Sequence, residues 1–173
     1  VFNDANVSLS NLFDPLLEPE IIFELTADLP KDADNQTILE SVKIAAGIEI
    51  PDARYKDWFP NFTLGDLISD NTATGLIVVG ERVAPLDYDK FADINLKLFK
   101  DGTQIETGHS SEVLGNPVEA VKWLNKKLHS HGKQLKKGQF ISSGTFISPL
   151  HLEQGNYTAE YDKVGSVTVQ VVE

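Results

Sequence analysis

The chain has no cysteine among its 173 residues. This excludes disulfides, thiolate metal ligation and a cysteine nucleophile. It has no apolar run near the length of a membrane span. Basic residues are few: 15 Lys and Arg stand against 26 Asp and Glu, for a formal net charge of −11. That balance argues against a nucleic-acid partner, since phosphate binding needs clustered Lys and Arg. It does not argue against an anionic small molecule, because a bound cation can reverse the local field. There is no methionine, and residue 1 is Val. A translated chain begins with Met, so a processed chain or a fragment is expected. No GxSxG elbow, phosphate-cradling glycine loop or nucleotide fingerprint occurs. No signal-peptide pattern opens the sequence. The four Asn-x-Ser/Thr sequons, at Asn6, Asn35, Asn61 and Asn156, are therefore read as chance, and a cytoplasmic location is expected.

What is present is an ordinary globular composition, 41% hydrophobic and 24% charged, sized for one domain with a real core. Residues 1–17 read as an irregular lead-in, and 20–25 as the first strand. Glu40 lies three residues after Thr37, as in a capping box, so a helix is predicted from Thr37 through Ala46, stopped by Gly47. That places Glu49 at a helix-to-strand junction. Residues 51–74 are polar and irregular, and a loop this long in a compact domain is more often functional than idle. The apolar run 75–80 and the alternating run 94–99 are strands; Asp101-Gly102 turns the second back into Thr103–Glu106. Asn116 and Pro117 open a second helix that Gly132 ends. Strands return over 139–172. The sum is a mixed β or α+β single domain with two helices.

The pattern that matters most is Glu18-Pro19-Glu20 at the head of Ile21-Ile22-Phe23. Two carboxylates two residues apart on a strand point to one side, while Pro19 faces the other. A third, Glu49, sits in the short apolar run Ile48-Glu49-Ile50. Convergence of Glu18, Glu20 and Glu49 on one divalent ion is the hypothesis; a solvated sheet face is the plainer alternative. Oxygen-only ligands suit Mg²⁺ or Mn²⁺ rather than Zn²⁺. His129 and His131 lie in the last turns of a helix and cannot share a metal face. His109 and His151 fall near loops. Ser142-Ser143-Gly144-Thr145 follows a strand, either as a plain turn or as a place for the Thr145 hydroxyl beside a substrate carboxylate. Trp58 and Trp123 read as packing residues.

Taken in order, Glu18-Pro19-Glu20-Ile21-Ile22-Phe23, Glu49-Ile50 with Asp52-Ala53-Arg54, Asp70-Asn71-Thr72-Ala73-Thr74-Gly75, Val113-Leu114-Gly115-Asn116-Pro117, Ser143-Gly144-Thr145 and Val164-Gly165-Ser166 form a distinctive series. This series resembles the 2-keto-4-pentenoate hydratase and 4-oxalocrotonate decarboxylase group of the fumarylacetoacetate hydrolase superfamily. The resemblance covers nearly all of residues 12–172. It implies an α+β fold, a mixed β-roll with two or three helices, and a Mg²⁺ or Mn²⁺ ion held by Glu18, Glu20 and Glu49. It implies a substrate hydroxyl contact at Thr145, with Ser143 beside it. Ala73 stands where the group carries a serine, so Thr72 or Thr74 would have to substitute.

The resemblance also implies hydration of a 2-hydroxy-2,4-dienoate to a 4-hydroxy-2-oxo acid in aromatic-compound catabolism, the ion acting as electron sink on the 2-oxo acid end. Asp52, Asp66 or Asp70 in the long loop, or a metal-polarised water, would move protons. A decarboxylase of the 4-oxalocrotonate type would need a cation for the far carboxylate, with Arg54 and Lys56 as candidates. An acylpyruvate hydrolase and a catalytically impaired partner subunit are the other readings. Members of the group carry an N-terminal segment with an active-site lysine that this sequence does not contain, so residues 1–173 are expected to be the catalytic domain without it. Homo-oligomers are expected from the resemblance.

Overall fold

Apolar alternation places two long strands side by side and sets the functional face of the molecule. The computed structural model describes residues 1–173. Its elements, in order, are β1 (Ala5–Ser8), β2 (Leu16–Leu25), α1 (Asn35–Glu40), β3 (Val42–Ile50), α2 (Leu64–Ser69), β4 (Leu76–Val79), α3 (Tyr88–Phe91), β5 (Asn95–Lys100), β6 (Thr103–His109), α4 (Pro117–Ser130), β7 (Phe140–Ser142), β8 (Leu150–His151), β9 (Gly155–Tyr161) and β10 (Gly165–Val172). The fold is α+β, with four helices rather than two or three. No helix is long and apolar enough to cross a membrane.

The strands form two sheets. One runs β4-β3-β2-β7, with β8 also paired to β2; the other runs β1-β10-β9-β5-β6. β1 is parallel to β10, and the other ladders are antiparallel. Ile21, Phe23 and Leu25 of β2 join Ile44, Ala46, Ile48 and Ile50 of β3 in the main core, against Tyr157, Val167, Val169 and Val171 of the second sheet. Val118 and Val121 of α4 close the same core. A core of this size supplies the hydrophobic driving force at roughly 25 cal/mol per Å² of apolar surface buried.

Several expectations are corrected. The predicted helix over 37–46 is two elements. α1 ends at Glu40, capped by Asp34 rather than Thr37, and Val42–Ile50 is a strand. Val42, Ile44, Ile48 and Ile50 alternate and are β-branched, which outweighs the helical preference of the two alanines. Gly47 is not a helix stop. A Cβ there would lie 2.3 Å from Ile22 Cγ1, and its carbonyl accepts the Tyr161 phenol at 2.7 Å. The lead-in contains β1, and β2 starts at Leu16. The long loop holds α2, opened by a capping box between Thr63 and Asp66. Trp58 is buried, whereas Trp123 is 61% exposed and is no packing residue.

Candidate metal centre

β2 and β3 pair through eight consecutive positions, and Glu18 falls directly opposite Glu49 while Glu20 falls opposite Gly47. Residues opposite one another in a ladder share a face. The three glutamates therefore stand on the face of β2 and β3 turned away from the main core. Ile22, Ala45 and Val79 form a small buried apolar cluster next to them on that face. Carboxylate oxygens of Glu18, Glu20 and Glu49 lie within 4.8 Å of one another. Glu49 reaches this position from within a ladder, paired on its other side to Ile77 of β4, so its backbone is fixed from both sides.

Glu20 is 2% exposed, and one of its oxygens is held. The Ser142 hydroxyl donates to Oε2 at 2.6 Å and the Gly144 N–H donates to the same atom at 2.7 Å. The other oxygen is left for a further ligand. Burial, then the Glu49 charge, lifts Glu18 to about 7. Burial and the Glu49 charge push Glu20 up to about 8, against the opposing effect of its bonds from Ser142 and Gly144. No Lys, Arg or His forms an ion pair with any of the three. Three acidic groups so placed destabilise one another as a bare cluster. An oxygen-only donor set with converging atoms and no protein counter-charge fits a hard divalent cation.

The other predicted residues have definite places. Asp52 is buried, and its carboxylate accepts the backbone N–H groups of Phe13 and Asp14 at 2.8–3.1 Å. Arg54 donates through Nε to Asp70 at 3.0 Å and through its terminal nitrogens to the carbonyls of Asp52, Thr74 and Asp70. Asp66 is occupied by Thr63. Asp52, Arg54, Asp66 and Asp70 thus brace the 51–74 segment. Asn71, Thr72 and Ala73 have φ of 56°, 58° and 52°, three consecutive residues in a region that a β-branched threonine rarely adopts. The Thr72 and Thr74 hydroxyls both donate to the Asn71 carbonyl. Thr145 donates to the Ile147 carbonyl and accepts its N–H. Of the four predicted hydroxyls, only that of Ser143 is buried without a protein partner.

Two contributors to the site went unassigned by sequence reasoning: Ser142 and the Gly144 N–H. The Ser-Ser-Gly-Thr turn pointed to the place, and the hydroxyl that holds Glu20 there is that of Ser142. Alternation supplied a usable signal, since Ser142 lies opposite Ile22, on the glutamate face of β2. A wide groove lies elsewhere, at one end of β5, β6 and β9 beside residues 145–148. Its volume is about 1170 Å³, and it contains none of the three glutamates.

No protein-family profile matches the sequence. Individual relatives do. The chain is 31% identical over 174 residues to a 2-keto-4-pentenoate hydratase of Paraburkholderia xenovorans (strain LB400), covering 98% of this chain and 64% of the relative. It is 30% identical to a 2-hydroxyhexa-2,4-dienoate hydratase of Comamonas testosteroni, covering 98% of this chain and 65% of the relative. Among solved structures, 4-oxalocrotonate decarboxylase from Pseudomonas putida G7, complexed with magnesium and adipate, superposes with a TM-score of 0.88 at 24% identity, covering 99% of this chain and 66% of that one. The chain spans just under two thirds of the length of these two hydratases.

Proposed function

We propose that the chain is a divalent-metal-dependent hydro-lyase of the 2-keto-4-pentenoate hydratase and 4-oxalocrotonate decarboxylase group, a reading supported by its likeness to hydratases and a decarboxylase of that group. Its substrate is a 2-hydroxy-2,4-dienoate of the 2-oxo-4-pentenoate type, and its product is a 4-hydroxy-2-oxo acid. The observation that carries the reading is the convergence of Glu18, Glu20 and Glu49 within 4.8 Å on one sheet face. When bound there, Mg²⁺ or Mn²⁺ supplies Lewis acidity toward the oxygens of a 2-oxo acid.

The chain's own residues prepare that position. Glu20 is fixed by Ser142 and Gly144, so one oxygen is aimed before any ligand arrives. Glu18 and Glu49 are held by the ladder itself. Asp52, Arg54 and Asp70, each committed within the 51–74 segment, act in this reading by positioning that segment rather than by carrying a proton. Arg54 is correspondingly less suited to a far carboxylate, which leaves exposed Lys56 as the cation open to that role in a decarboxylase.

The test is direct. The protein is incubated with Mg²⁺ or Mn²⁺ and 2-hydroxypenta-2,4-dienoate, and the ultraviolet absorbance of the diene is followed. Its loss with formation of a 4-hydroxy-2-oxo acid is expected. Release of CO₂ from 2-oxohex-3-enedioate, without turnover of the first compound, would establish the decarboxylase instead. Glu20→Gln should abolish metal binding; full affinity in that variant would refute the carboxylate trio.

A further inference from the structure

Proton transfer in the proposed reaction has no carrier among the carboxylates of the 51–74 segment. Asp52, Asp66 and Asp70 are committed to backbone N–H groups, to Thr63 and to Arg54. The register of the short strand β8 points to another group. His151 lies directly opposite Leu16 of β2, and Leu16 shares its face with Glu18 and Glu20 by alternation. The imidazole therefore stands on the glutamate face. It lies two residues along from Glu18 and one strand over, about 8 Å between Cα atoms at ordinary strand spacings. The other three histidines are elsewhere. His109 ends β6 of the second sheet, His129 meets the Leu29 carbonyl, and His131 follows the last turn of α4.

The surroundings of His151 are those of an oriented acid or base. Its Nδ1 lies 3.7 Å from Oδ1 of Asp14, and such contacts commonly shorten only when substrate is bound. Asp14 is itself fixed, since its backbone N–H donates to buried Asp52 at 2.8 Å. The Phe59 ring meets the imidazole edge-on at 6.3 Å. Glu153, which Lys100 holds at 2.6 Å, also lies near enough to feel the imidazole charge. The side chain is 58% exposed, so solvent can exchange protons with it. We propose that His151, oriented by Asp14, is the general acid that protonates C5 of the bound dienoate, an assignment that rests on the hydratase reading above. With the 2-oxo acid end over the trio, the far end of the chain points along the face to the imidazole. Asp14 takes Nδ1, which leaves Nε2 for the substrate. The C4=C5 electron pair takes the proton, the C2=C3 pair moves to C3=C4, and the 2-hydroxyl becomes a carbonyl as its proton leaves to solvent. Water then adds its oxygen at C4 and a proton at C3, and the ring recovers a proton from solvent.

Deuterium uptake tests this. The protein is incubated in D₂O with Mg²⁺ and 2-hydroxypenta-2,4-dienoate, and label at C5 is followed by NMR against the uncatalysed rate. Wild-type protein should form a 4-hydroxy-2-oxo acid labelled at C5. His151→Gln should slow C5 uptake by about 10²–10⁴-fold, the usual contribution of a positioned acid, with KM little changed. Its Mg²⁺ affinity by isothermal titration should stay that of wild type, because the trio is intact. Added imidazole should restore part of the rate to His151→Ala and none to Asp14→Asn, a pattern that a folding defect does not produce. His109→Gln is the control and should behave as wild type. Undiminished C5 uptake in His151→Gln, no rescue by imidazole, or an equal loss in His109→Gln would overturn the assignment, while hydration by the wild type would keep the hydratase reading. Uptake that depends on His151 but ends at the 2-oxo-3-enoate would overturn the hydratase reading and keep the acid. A wild type that neither hydrates nor labels the compound would overturn both.

Discussion

The side chain of Ile22 occupies the space in which a Cβ on residue 47 would stand. An ideal Cβ at Gly47 would lie 2.3 Å from Ile22 Cγ1 and 2.8 Å from Cδ1. Gly47 is also the residue opposite Glu20 in the ladder. The absence of a side chain at one position thus lets a buried isoleucine lie beside the glutamate trio.

Gly47→Ala should therefore destabilise the protein by about 1–3 kcal/mol, the usual cost of an overpacked interior. It should also weaken Mg²⁺ binding, since Ile22 can yield only by disturbing its own strand. Gly65→Ala is the control. A Cβ there meets only ordinary contact with Thr63 Oγ1 at 3.6 Å, and alanine is the better helix former by about 1 kcal/mol. Thermal melts with and without Mg²⁺ should separate the two variants in opposite directions.

Glu18 and Glu20 make the metal-free protein sensitive to pH. Both folded-state values, about 7 and about 8, lie above the ordinary value of 4.5. The folded protein thus holds protons that the unfolded chain releases. The contribution is fully present below pH 4.5 and is lost as pH rises through the folded values. Denaturant titrations of metal-free protein should show stability falling between about pH 4.5 and 8. Saturating Mg²⁺ should remove most of that fall, and its affinity should rise with pH as protons leave the ligands. A metal-free stability that climbs across this window would contradict the assigned shifts.

Ser142→Ala should impair the site without touching a metal ligand. It removes a 2.6 Å hydrogen bond to the buried Glu20 carboxylate, a loss of about 1.5–3 kcal/mol for a charged acceptor. The Glu20 carboxyl should then titrate higher still, and Mg²⁺ affinity should drop most at neutral pH and least at alkaline pH. Isothermal titration at two pH values reads this difference. A uniform loss at both would indicate a packing effect.

Arg54 holds the 51–74 segment through Asp70 and three carbonyls. Arg54→Ala should loosen this segment more than the sheets beneath it. Hydrogen exchange should accelerate over residues 64–74 and remain slow in β2 and β3. Arg54→Lys should recover little, because an ammonium cannot reproduce the planar set of donors.

The glutamate pair was legible because strand alternation holds whatever the rest of the fold does. Glu18 and Glu20 had to share a face once the chain was extended from Glu18 into the 20–25 strand. Glu49 was legible as a candidate third carboxylate from its place in the short run Ile48-Glu49-Ile50, and the resemblance strengthened it, but its setting was misread. Ala45-Ala46-Gly47 has the local look of a helix end, yet a strand is enforced by the Tyr161 bond to Gly47 and the space taken by Ile22, both contacts distant in sequence. The Asn116 cap and the Asp101-Gly102 turn were readable because their causes are local. The Thr63-x-x-Asp66 box was equally local, but polar neighbours masked a six-residue helix. Exposure of Trp123 was not readable, because helical spacing shows which residues share a face but not which face meets the core.

The opposition of Glu18 and Glu49 has a meaning for folding. Slipping β3 by one residue against β2 would send Glu49 to the other face, and a two-residue slip would separate the pair by about 7 Å along the strand. A divalent ion thus rewards one pairing of these strands and no neighbouring one. Binding would therefore favour the observed register of the β2–β3 ladder, and refolding with Mg²⁺ present should select against the two-residue slip, the one that keeps the same faces buried.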